Sequence, residues 1–156
     1  MIKLNRMTEY GLMALRHISR KPAAVTSARE IADSYDLPFE ITAKTLQRLK
    51  EKGLIQSAHG AKGGYTLQRP LEDISLAEFL ELMEGPQSVV ACYGPSEKLK
   101  EKKKAGCEYG RRCEIKHMMN DLNSRVFKFL SEIQLSELSK NLDHRLLVSG
   151  SLSLTE

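Results

Sequence analysis

Three cysteines, Cys92, Cys107 and Cys113, stand in the 156-residue chain at a spacing of C-x14-C-x5-C, and His117 follows the last by four residues. An odd number argues against a disulfide framework, as does the reducing compartment expected below. A metal or redox role is the leading chemistry, with unconnected buried cysteines as its structural alternative. Thiolates are soft donors that select zinc, copper(I) or iron–sulfur clusters over hard cations. Zinc sites use tight C-x2–4-C pairs, which the chain lacks, so the spacing favours a cluster held in a loop. Three thiolates want a fourth donor. His117 falls on the first turn of a long helix, where a lone histidine is more often a surface residue. If two chains pair, Glu9 of the partner can complete the site instead; an oxygen ligand holds iron more loosely than sulfur, which suits a cluster meant to be disturbed.

These donors need a scaffold, and the composition supplies an ordinary globular one: 41% hydrophobic and 28% charged residues, with 10 Gly and 5 Pro. The length fits one compact domain with an appended arm. No apolar run approaches the roughly 18 residues a membrane span requires. The amino terminus carries Glu9 and Arg16 within its apolar part and lacks a small-residue cleavage site, so a cytoplasmic protein is expected. Charge is unevenly placed: residues 1–70 hold 12 Lys+Arg against 6 Asp+Glu, whereas the remainder is slightly acidic. A basic half attracts polyanions, which makes double-stranded DNA a candidate partner.

Periodicity predicts a mainly α chain, a winged helix-turn-helix with a β-hairpin wing and a long C-terminal dimerisation helix. A first helix is expected from Thr8 to Ser19, and a second opens at Ser27, where Ser27 and Glu30 read as an S-x-x-E capping box. The third starts after Pro38 and ends at Gly53. Leu54–Ser57 and Tyr65–Gln68 then alternate around the glycine-rich, basic tip 59–64, the signature of a hairpin. A second capping box, Ser75 with Glu78, opens a helix that Gly85-Pro86 ends. Four segments follow: a DNA-binding domain over 1–84, a cysteine-bearing loop over 85–114, a dimerisation helix region over 115–142 and a polar tail over 143–156. In the long helix Ile115, Met118, Met119, Leu122, Val126, Phe129, Leu130 and Ile133 form a continuous apolar stripe. A small winged domain cannot easily cover a stripe of that length, so it reads as the seam of a homodimer.

In such a head the third helix enters the major groove and the hairpin tip lies over the neighbouring backbone or minor groove. Ile41, Leu46 and Leu49 are expected to face the core. Glu40, Thr42, Lys44, Gln47 and Arg48 are the candidate DNA contacts on the helix, and His59 and Lys62 those on the wing.

Four stretches resemble the family of bacterial winged-helix regulators, including IscR and NsrR, that sense iron–sulfur status, nitric oxide or redox state. They are the opening Leu4-x3-Thr8-Glu9-Tyr10-Gly11-Leu12-x-Ala14-Leu15, the run from Leu46 to Ile55, the wing Gly60-Ala61-Lys62-Gly63-Gly64-Tyr65-x-Leu67, and Cys107-x5-Cys113. The resemblance implies a homodimer on an operator of two half-sites, each chain carrying an iron–sulfur cluster, [2Fe–2S] or [4Fe–4S], near the junction of dimer helix and head. It makes the lysine-rich segment between Cys92 and Cys107 an insertion, which a flexible loop absorbs at little entropic cost. Glu9 matches an acidic ligand used in NsrR. Lys116 stands where IscR has a histidine ligand, with His117 one step on, so Glu9 is the favoured fourth donor. His59 stands where the family often has arginine. The expected function is a sequence-specific transcriptional regulator, a repressor, sensing through the cluster; the alternative is a metal-free thiol sensor on the same head. No C-x-x-C, activated nucleophile or cofactor fingerprint points to an enzyme.

Overall fold

The computed structural model describes residues 4–58, 63–89 and 112–138. Its elements run α1 (Arg6–Ser19), α2 (Ala28–Tyr35), α3 (Phe39–Glu51), β1 (Ile55–Ala58), β2 (Gly64–Leu67), α4 (Leu76–Glu84) and α5 (Lys116–Glu132), with a single 3-10 turn at Leu71–Asp73. The winged helix-turn-helix expected from the sequence is thus present. Cys92, Cys107, the wing-tip residues His59 and Lys62, and the tail 143–156 lie outside the described residues.

Local chemistry accounts for the boundaries. Asn5 Oδ1 accepts from Thr8 N at 2.9 Å and starts α1 two residues earlier than the apolar period indicated. Ser27 and Ser75 each accept from the backbone N–H three residues on, capping α2 and α4. The reciprocal half of the two capping boxes is replaced. Glu30 is turned to His17 and Lys21, and Glu78 to Arg69, so both carboxylates tie their helix to a distant element instead of their own cap. Asp36 takes a left-handed conformation, φ 51°, ending α2 immediately ahead of the Pro38 that opens α3.

The core forms where α1, α3 and α4 meet the base of the hairpin: Leu15, Ile18, Ile31, Leu46, Leu49, Leu54, Ile55, Ile74, Phe79 and Met83 are all fully buried. Ile41 is exposed rather than core-facing, and Thr42 takes the inward position beside Thr45. Each threonine hydroxyl donates to the carbonyl four residues back, Thr42 to Pro38 at 3.0 Å and Thr45 to Ile41 at 2.8 Å. With its hydroxyl satisfied inside the helix, a threonine packs as a small apolar residue.

The wing is a two-stranded antiparallel hairpin in the register Ile55–Leu67 to Ala58–Gly64. Thr26, ahead of α2, extends it: Thr26 N donates to Tyr65 O at 3.0 Å and Tyr65 N to Thr26 O at 2.8 Å. Gly64 is required at this joint, because a β-carbon there would lie 2.5 Å from the Thr26 carbonyl oxygen. Gly64→Ala is expected to destabilise the head by about 1–3 kcal/mol through overpacking. A thermal melt measures that loss.

Helix α5 ends at Glu132, next to Ile133 where the expected apolar stripe also ends, and the chain turns back to the head. Leu76 N donates to Ile133 O at 2.8 Å and Leu135 N to Ile74 O at 3.0 Å, with Leu135 buried in the head core. The apolar stripe accordingly divides. Met119, Val126, Leu130 and Ile133 are half-buried, with Leu130 packed against the head core, whereas Ile115, Met118, Leu122 and Phe129 are exposed.

Candidate nucleic-acid interface and thiol site

Burying Thr42, Thr45, Leu46 and Leu49 against α1 and α2 turns the opposite face of α3 to solvent. Glu40, Lys44, Gln47, Lys50 and Glu51 are exposed there, and Gln47 Nε2 donates to Glu51 Oε1 at 3.2 Å. An open groove of about 550 Å³ runs between this face and the wing, lined by Phe39, Glu40, Ala43, Lys44, Gln47, Lys50 and Tyr65. Carboxylate, ammonium and carboxamide groups along one helix face match the hydrogen-bonding edges and phosphates of a major groove.

Two expected contacts do not face that groove. Thr42 is 1% exposed with its hydroxyl committed to Pro38, so it is corrected to a packing residue. Arg48 is half-buried, and its guanidinium Nη2 donates to the Met83 carbonyl at 2.5 Å, joining the reader helix to the last turn of α4. A free carbonyl at a helix end is the natural partner of a cation, which explains why this arginine turns inward. Lys44→Ala should lower the slope of log affinity against log salt by about one phosphate contact without altering folding. A salt titration of DNA binding checks it.

The wing and reader helix are held by α1 and α2. Between these helices Glu30 accepts from His17 Nε2 at 3.1 Å and lies against Lys21. Lys21 first, then His17, hold the Glu30 carboxyl below the usual carboxylate value. A depressed carboxylate stabilises the fold above its unfolded pKa, and the contribution is lost as pH falls through the folded pKa. The acid limb of a pH–stability profile should therefore flatten in Glu30→Gln. The partly exposed position keeps the effect below about 1 kcal/mol.

Cys113 lies half-buried in the turn leading into α5, where its carbonyl accepts from Lys116 N at 3.3 Å, and its thiol is free. His117 is exposed on the first turn of α5 and Glu9 on the first turn of α1, the latter engaged by no side chain among the described residues. The described residues contain no group of three His, Cys, Asp or Glu side chains placed to hold a metal. They do contain a thiol and a free carboxylate, the donor types that an iron–sulfur cluster with one weak oxygen ligand requires.

Asn123 emerges as a positioning residue that the sequence reading missed. It is buried on α5, and its Oδ1 accepts from Val89 N at 2.9 Å, tying the chain that leaves α4 for Cys92 to the long helix. Its signal was a single amide on the half-buried edge defined by Met119, Val126 and Leu130. A polar residue in an apolar stripe requires a partner.

Comparison with known proteins places this architecture. A family model described as Rrf2, iron-dependent transcriptional regulator, matches residues 4–141. The transcriptional regulator NsrR of Bacillus subtilis is 26% identical over 90% of this chain and 92% of its own length. The transcriptional regulator IscR of Xenorhabdus nematophila is 30% identical over 72% of this chain and 63% of its own length. Among solved structures, CymR, the global cysteine regulator of B. subtilis, superposes with a TM-score of 0.66 at 21% identity, covering 90% of this chain and 98% of CymR. With the match running from the start of α1 past the end of α5, the chain belongs to the Rrf2 family of transcriptional regulators.

Proposed function

We propose that this chain is a homodimeric, sequence-specific DNA-binding repressor whose hold on its operator is set by an iron–sulfur cluster. The cluster would be held by Cys92, Cys107 and Cys113, with Glu9 of the partner subunit as fourth ligand in preference to His117. The observation that carries this reading is the position of Cys113. It is a half-buried free thiol at the entry to α5, the helix whose exposed edge bears Ile115, Met118, Leu122 and Phe129.

A bound cluster would supply a redox-active, ligand-exchangeable centre at that junction. The chain's own residues carry its state to the reader helix. Asn123 ties the segment before Cys92 to α5, the Ile133–Leu135 return ties α5 to the head, and Arg48 ties the end of α4 to α3. A change in how the loop is tied to α5 shifts the separation of two heads on one duplex, and a ligand that favours one spacing couples to DNA affinity.

The test is oxygen-free purification with absorption and Mössbauer spectra and assays of iron and acid-labile sulfide. The reading requires a coloured protein that loses iron on substitution of any of the three cysteines. A colourless, iron-free protein whose DNA affinity still follows oxidant and reductant would replace the cluster with thiol chemistry on the same head.

A further inference from the structure

Phe39 is the first residue of α3 and is 43% exposed, belonging neither to the head core nor to the side chains packed against it. Its ring is nevertheless held in place. The guanidinium carbon of Arg29, on α2, lies 4.7 Å from the ring centroid, covering one face. Arg29 is itself exposed and forms no ion pair with a described carboxylate. An apolar ring braced by a cation and left facing a groove that it shares with Ala43, Lys44 and Gln47 is a surface prepared for a partner with one apolar feature.

The major groove offers such a feature in the C5 methyl of thymine, and the N-terminal residues of a recognition helix are those that meet base edges. Phe39, Ala43 and Gln47 lie along one line of α3 at i, i+4 and i+8, the aromatic at the N-terminal end, a small residue next and a carboxamide last. We infer that Phe39, braced by Arg29, is a specificity determinant that packs against a thymine methyl in each half-site. Arg29 keeps the ring oriented and presents its remaining donors to the adjacent phosphate. This rests on the DNA-binding reading above, and adds to it the base that the amino-terminal end of the reader selects.

The experiment begins by selecting the tightest duplex for the full-length protein from a random pool, then replaces each thymine in turn by deoxyuridine, which removes the methyl alone. For the unsubstituted protein one position per half-site should lose about three- to fivefold in affinity, the worth of one buried methyl. In Phe39→Ala that penalty should vanish, and Phe39→Leu should restore part of it. Arg29→Gln should shrink it and also lower the salt slope by about one. Circular dichroism and a melt on each variant show that the head is folded, as expected for an exposed side chain. Absence of any deoxyuridine penalty, or a penalty unchanged in a folded Phe39→Ala protein, overturns the inference while leaving DNA binding intact. Failure to select any duplex overturns the DNA-binding reading itself, and this inference with it.

Discussion

In the proposed homodimer, replacing Met118 and Phe129 together by aspartate should give monomers and lower operator affinity by about 10²–10⁴, the effective-concentration advantage of two linked heads. Both side chains are more than half exposed, 58% and 62%, on the edge of α5 that the head leaves uncovered. A two-fold interface uses the same patch on both subunits, so each substitution is felt twice. Aspartates there would be desolvated without partners, at a cost of several kcal/mol. The heads should remain folded, because neither residue enters their core. Light scattering after gel filtration reads the mass, and fluorescence anisotropy on an operator and on an isolated half-site reads affinity. The operator should lose the advantage while the half-site binds as before.

Phe79→Ala should act in the opposite way, through the head alone. Phe79 is fully buried on α4 and approaches Gly11 of α1, whose added β-carbon would sit 3.2 Å from the ring. Truncating a phenylalanine in a close-packed core costs about 3–5 kcal/mol. Against a total stability of about 5–15 kcal/mol, that takes a marginal domain to the edge of unfolding. Denaturant titration should show a shifted midpoint with an unchanged slope, and DNA binding should fall in proportion to the folded fraction. Two phenylalanines fifty residues apart thus separate fold from assembly.

The same contrast explains what could be read from the chain beforehand. The starts of α2 and α4 are legible because Ser27 and Ser75 are local devices, and so is the hairpin, because its alternation and glycines are local too. The inner and outer faces of α3 were less so. Ile41 looked like a core residue and Thr42 like a contact, yet the register that buries Leu46 and Leu49 also buries position 42. The back-bonded hydroxyl of Thr42 makes burial tolerable, a satisfaction that residue type does not disclose. Arg48 misled for a related reason, since a guanidinium finds a helix-terminal carbonyl only once α4 has folded against α3. The stripe of α5 is apolar in sequence, but periodicity does not state which neighbour covers each edge. The return of Leu135 to the head decides that, and it lies beyond the end of the helix. For the sulfur site, residue type and spacing supply only the proposed donors, while the joints at Asn123 and Arg48 required three-dimensional contacts to find.

In the proposed mechanism a cluster held by sulfur beside α5 sets the affinity of the reader helices for DNA. It is tested most directly by measuring operator affinity on one oxygen-free preparation before and after gentle removal of iron, with Cys113→Ala in parallel. Loaded and stripped protein should differ by about tenfold or more, the span of a modest coupling energy. Cys113→Ala should give the stripped value whether or not iron and sulfide are supplied. Equal affinity in both states, with Cys113→Ala indistinguishable from the unsubstituted protein, would contradict it.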